Sequence, residues 1–167
     1  MAHPLLYREH KFRVASVLDI QGVPRDIERL SFVQKQGSRW KEMNSLLNDF
    51  SSLTSLNLGF NRIGPEGAAS LANSPNLASL TSLNLDCNLI GDEGAASLAN
   101  SANLASLTSL DLKYNQIGDE GAARLANSTN LTSLISLDLE YNQIGFEGAA
   151  LFKKILFERM SNCKVHW

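Results

Sequence analysis

Carboxylates are the residues of this 167-residue chain best suited, by number and spacing, to do chemistry. Ten lie between residues 53 and 152, against only Arg62, Lys113 and Arg124, so this stretch carries a net charge of about −7. They fall into two recurring groups. Glu66, Asp92-Glu93, Asp119-Glu120 and Glu147 follow a glycine each time, and Asp86, Asp111, Asp138 and Glu140 stand among leucines. Paired carboxylates could exchange protons with a substrate or hold a hard cation. The first group instead opens helices, where an acid complements the positive end of the helix dipole. The second offers too few ligands in a closed geometry for a metal ion. His3, His10 and His166 lie apart from these groups, and Cys87 and Cys163 form no C-x-x-C pair. No phosphate-binding loop, dinucleotide fingerprint, nucleophile elbow or H-E-x-x-H sequence is present. The reading is a non-enzymatic protein with no metal and no cofactor.

The elements that position these residues repeat. Leu53-Thr54-Ser55-Leu56-Asn57-Leu58 recurs from Leu80, Leu107 and Leu134, a period of 27 residues without slippage. A fixed period in the range of roughly 20–50 residues marks a solenoid of stacked units. Within each unit the Leu-x-Leu step alternates with polar residues, the mark of a half-buried strand. Strands one period apart lie side by side and parallel, and the helix between them is the crossover that parallel pairing requires. Asn61, Asn88, Asn115 and Asn142 leave the strand; a carboxamide buried there can pair backbone groups that no strand ladder satisfies. Gly64, Gly91, Gly118 and Gly145 then suit a tight turn into the helix. The small Gly-Ala-Ala step beginning at Gly67, Gly94, Gly121 and Gly148 lets helix and sheet approach closely, with Leu71, Leu98 and Leu125 behind it.

This organises the chain. Residues 1–26 form an N-terminal segment readable as strand or helix. Residues 27–52 copy the strand spacing once more at Ile27, Leu30 and Phe32 and carry Trp40, Met43, Leu47 and Phe50 at helical spacing, as a degenerate capping repeat does at the open end of an array. Residues 53–160 are four repeats, the last modified into a C-terminal cap by a longer helix with Phe152, Ile155 and Leu156. Residues 161–167 are a tail. No run of about 18 apolar residues is present, and the opening residues lack a secretory pattern, so a monomeric cytoplasmic protein with no membrane contact is expected. The acidic repeats argue against nucleic acid, which needs a basic footprint.

The repeats also serve as an internal alignment. The first and second differ only at 59/86, 60/87, 62/89, 65/92 and 75/102. The positions that point away from the buried leucines form an open face. There, beside a column of Ser55, Ser82, Ser109 and Ser136, the residues Asn57, Asn84, Asp111 and Asp138 make one column. Gly59, Asp86, Lys113 and Glu140 make a second, and Phe60, Cys87, Tyr114 and Tyr141 a third. An unchanging scaffold under a varied polar and aromatic face is the pattern of a recognition surface, and tyrosine is enriched where proteins bind proteins. Asp111 and Asp138 oppose each other one strand apart, which is destabilising unless a cation relieves it. A basic protein or peptide partner would do so.

Each unit reads L-x-x-L-x-L-x-x-N-x-I-G-x-E-G-A-A, which resembles the leucine-rich repeat and, within it, the ribonuclease-inhibitor-like subfamily. The resemblance covers about 100 of the 167 residues. It implies an α/β horseshoe segment, with parallel strands on the concave face, helices on the convex face, and the four asparagines as a structural ladder. It also implies protein binding on the concave face, through Asn57, Phe60, Asn84, Asp86, Asp111, Lys113, Tyr114, Asp138, Glu140 and Tyr141. Two other roles go with such repeats. One is regulation of a small GTPase, as in the activators of Ran. The other is that of a receptor or ubiquitin-ligase substrate adaptor, since the Gly-Ala-Ala-x-Leu-Ala string resembles bacterial GALA effectors.

Overall fold

The computed structural model describes residues 12–14, 28–32, 50, 52–159 and 162–167. Seven short parallel strands form one sheet in chain order. They are β1 (Phe12–Val14), β2 (Arg29–Phe32), β3 (Ser55–Asn57), β4 (Ser82–Asn84), β5 (Ser109–Asp111), β6 (Ser136–Asp138) and β7 (Lys164–His166). The register follows the period. Leu30, Leu56, Leu83, Leu110 and Leu137 pair in succession, and Val165 ends the row. Among the described residues four helices return behind the sheet: α1 (Gly64–Ala72), α2 (Gly91–Ala99), α3 (Asp119–Ala126) and α4 (Phe146–Arg159), each packed on the next. The result is a solenoid segment with strands on the concave side and helices on the convex side. Between them runs one continuous core of leucines, with Ile63, Ile90 and Ile117 and, as its largest fully buried side chains, Phe50 and Phe152.

The asparagines hold the turns. The Asn115 Oδ1 accepts from the N–H groups of Asn88 and Ile90 in the preceding repeat, at 3.1 and 3.2 Å. Its Nδ2 donates to the carbonyls of Leu85 and Lys113. Asn88 makes the same four bonds one repeat earlier. Both are wholly buried, and each has filled its two donor and two acceptor sites. The turns they hold are otherwise unfavourable. Phe60, Cys87, Tyr114 and Tyr141 have φ of 62°, 54°, 53° and 57°, and Arg62, Leu89 and Gln116 also lie in the left-handed region. That conformation costs an ordinary residue roughly 1–2 kcal/mol. A second rail follows the strands: the hydroxyls of Thr81 and Thr108 each donate to the threonine carbonyl one repeat back, at 3.0 Å.

Three features differ from the sequence expectation. First, Asp92 and Asp119 serve the helix of the following repeat. The Asp92 Oδ1 accepts from the N–H groups of Gly118 and Gly121, at 2.7 and 3.0 Å, and Asp119 accepts from Gly145. Pro65 holds the same position in the first repeat and has no such oxygen; there Gly91 turns left-handed, with φ 62°, and donates to the Asn115 carbonyl. Second, the glycine of the Gly-Ala-Ala step meets its neighbouring helix. A Cβ on Gly94 would overlap Ile90 and crowd Ala68 and Pro65, and one on Gly121 would overlap Asp92. Third, the tail is not loose: Lys164–His166 adds β7 to the sheet, Cys163 is buried, and the Trp167 ring meets Phe152 edge-on at 4.9 Å. Val165 supplies the apolar side chain that makes this pairing worthwhile, half-buried against the core. The helix expected around Trp40 lies outside the described residues, as does most of the capping repeat.

Two predictions follow from these bonds. Replacing Asn115 by alanine leaves two buried amides and the Leu85 carbonyl without partners, while the Lys113 carbonyl keeps the Cys87 N–H, so it should destabilise by roughly 2–4 kcal/mol. The half-buried Asn142 should lose less on the same change, because water can replace it. Chemical denaturation measures both, and an unaltered Asn115→Ala midpoint would show that the carboxamide is dispensable. For the caps, Asp92→Ala should cost about 1 kcal/mol, and Glu93→Ala less than about 0.5 kcal/mol. Equal losses would mean that the acids act only through the dipole of their own helix.

Candidate interaction surface

The three columns lie on the concave side, and backbone bonds hold each in line. Beyond the strands proper, Phe60 N–H donates to the Asp86 carbonyl, Cys87 N–H to that of Lys113, and Tyr114 N–H to that of Glu140. The aromatic column is therefore delivered by a turn tied to the next repeat, with Phe60, Tyr114 and Tyr141 exposed by 66%, 48% and 67%. Tyr114 and Tyr141 stack face to face, with centroids 4.3 Å apart and planes at 2°. Partial burial, with Tyr141 alongside, raises the Tyr114 phenol above its ordinary pKa.

The first column has a structural duty. Asn57, Asn84, Asp111 and Asp138 each accept, through Oδ1, the N–H two residues ahead: Gly59, Asp86, Lys113 and Glu140, all at 3.0–3.1 Å. These side chains close the turn that presents the second and third columns. Asparagine and aspartate do this equally well, because the bond uses only the oxygen.

The opposed Asp111 and Asp138 do not wait for a partner's cation, as the sequence reading had them do. The Lys113 ammonium sits 3.1 Å from Asp138 and 3.3 Å from Glu140. Those two bonds raise the lysine pKa. The other Asp111 oxygen accepts from the Asn84 amide at 3.2 Å. The relief is internal and uneven. Lys113 serves repeats three and four, while among the described residues no cation pairs with Asp86 or Asp111. Both of these carboxyls are pushed above the ordinary value, chiefly by burial and then by neighbouring negative charge. Asp86 leans over Gly59, where an added Cβ would overlap its carboxylate. Burial, then the charges of Asp86 and Asp111, also raises the Cys87 thiol. No group of three or more metal-ligating side chains gathers among the described residues, and none of their helices is long and apolar enough to cross a membrane.

Sequence reasoning missed the turn-closing role of the first column and the lysine bridge. The signal for the first was present: a carboxamide or carboxylate two residues before a turn is an Asx-turn pattern. The second depends on which rotamer a long side chain adopts between strands.

The leucine-rich-repeat sequence profile matches residues 51–72, 76–99, 103–126 and 130–152, more than half of the chain. No curated protein matches it. Among solved structures, an internalin from Listeria monocytogenes superposes with a TM-score of 0.52 over 92% of this chain, at 21% identity. The chain spans 44% of the length of that structure, and the likeness is one of fold.

Raised carboxyl pKa values have a definite sign. The folded chain holds these protons more tightly than the unfolded chain, so the two acids lower stability as pH rises through the carboxylate range. Asp86→Asn should therefore raise the melting temperature at neutral pH, with the gain shrinking as pH falls from the raised carboxyl value toward 3.8, the ordinary value, and gone below it. Melting curves of both chains across that range test it; a gain that persists at low pH would place its origin outside the charge.

Proposed function

The chain belongs to the leucine-rich-repeat family, and from that premise we propose that it is a non-enzymatic interaction module whose concave face binds an extended, basic segment of a protein partner. The observation that carries this reading is the exposed Tyr114–Tyr141 stack, on the same face as Asp86 and Asp111, which Lys113 does not bond. Stacked rings expose apolar area already fixed in place, so little conformational freedom is lost on binding. The unpaired acids add attraction, which mainly speeds encounter and sets specificity.

Size argues for a segment over a globular face. Four repeats about 4.8 Å apart and four exposed positions about 3.3 Å apart cover roughly 250 Å². A standard interface buries about 800 Å² on each partner. Asn57, Phe60 and Asn84 would line one end of the path, Asp138, Glu140 and Tyr141 the other. We assign the repeats to the ribonuclease-inhibitor-like subfamily, on the strength of the helices α1 to α3 that fill each 27-residue unit. We also take the protein to be a monomer of the cytoplasm, where the unpaired thiols of Cys87 and Cys163 would persist.

The test uses neutral changes that spare the turns. Asp111→Asn with Asp138→Asn keeps the Oδ1 acceptor that Asn57 and Asn84 already provide, so the turns should form as before, while the Lys113–Asp138 pair and the Asn84–Asp111 bond are lost and a melting curve checks that the chain still folds. A partner captured by pull-down should bind that chain about tenfold more weakly at low salt and show less salt dependence. The convex pair Glu93→Gln with Glu120→Gln should bind as the parent does. Loss in the convex chain and retention in the concave one would put the interface on the helices.

A further inference from the structure

The aromatic column is interrupted once. Phe60, Tyr114 and Tyr141 present rings, while Cys87, in the same left-handed turn and tied by the same kind of backbone bond, presents only a thiol. Neighbouring rings in this column stack, as Tyr114 and Tyr141 do at 4.3 Å. Phe60 and Tyr114 are two strand spacings apart, roughly 9–10 Å. A planar group midway between them would lie about 5 Å from each ring centre, inside the roughly 6 Å over which a ring face attracts a cation.

The rim of this gap is negative. Asp86 directly precedes Cys87 and leans over Gly59, toward the Phe60 side. Asp111 lies one strand on, its charge reaching both Asp86 and Cys87. Lys113 bonds to Asp138 and Glu140, and its charge is felt at Asp86 and Asp111, but among the described residues no cation makes an ion pair with either of these acids. An aromatic side chain in the gap would extend the stack but leave the acids unpaired. A lysine would meet the acids but cannot lie flat between rings. A guanidinium does both: it is planar, weakly hydrated, and carries donors along its edge for carboxylates.

We propose that the gap at Cys87 is the seat of one arginine side chain of the partner segment, its guanidinium stacked between Phe60 and Tyr114 and bonded to Asp86 and Asp111. This rests on the concave-face reading and narrows it to one anchoring residue.

The experiment titrates the isotope-labelled full chain with the peptide acetyl-Gly-Gly-Arg-Gly-Gly-amide, followed by amide chemical shifts. Two companion peptides carry citrulline or lysine in place of arginine; citrulline is flat but uncharged, lysine charged but not flat. The arginine peptide should move the Cys87 and Tyr114 signals and bind roughly tenfold more tightly than either companion. Cys87→Tyr fills the gap with the residue that repeats three and four already carry there, so the chain should fold and lose the preference for arginine. Equal binding of all three peptides, or of none, overturns the proposal. So does a preference that survives Cys87→Tyr. A Cys87→Tyr chain that still holds its protein partner, while the Asp111→Asn, Asp138→Asn chain does not, overturns the arginine seat and leaves the concave-face reading standing.

Discussion

The structure depends on a carboxamide that uses all four of its hydrogen-bonding sites. In every repeat the chain must leave the strand, turn away from the sheet and begin a helix, and that turn buries backbone amides and carbonyls that no regular element pairs. Asn88 and Asn115 satisfy them, and they do so partly across the boundary to the preceding repeat. The same side chain therefore closes its own turn and fastens one unit to the next. No other residue offers two donors and an acceptor on so short a stem. Its saturation offsets the left-handed residues that flank it, which would otherwise count against the fold.

That turn also governs what the concave face can display. The first column must supply an oxygen to the N–H two residues on, which restricts it to short side chains such as asparagine and aspartate. Charge there can change without disturbing the scaffold, but shape cannot. The second and third columns are under no such restriction, and they are where the repeats diverge: glycine, aspartate, lysine and glutamate in one, phenylalanine, cysteine and two tyrosines in the other. Chemical variety thus sits on the positions that the backbone already holds in line.

Contacts between repeats grade along the array. The first boundary places Pro65 where later ones place aspartate, and the glycine that follows changes its backbone to compensate. The boundaries after Asp92 and Asp119 are closed by a carboxylate reaching the next helix. Phe146 takes that position in the fourth repeat and is 90% exposed, so the device that joins one helix to the next stops there. Beyond it the chain switches to a different closure: α4 lengthens, Phe152 enters the core, and β7 pairs with β6.

How much of this was legible in the residues follows from the range over which each feature is decided. Leucine spacing, the 27-residue period and the recurring Asn and Gly are local and repeated, so they determine parallel strands, crossover helices and a shared core, and they mark which columns face outward. What the tertiary structure alone decided are relations between residues about one period apart. Asp92 reaches Gly118 and Gly121, Lys113 spans Asp138 and Glu140, Tyr114 meets Tyr141, and Lys164–His166 joins the sheet. The physical reason is common to all four. Each depends on the pitch and lateral offset of the stack, which set whether a side chain or strand from one unit arrives within bonding distance of the next, and no single repeat contains that information.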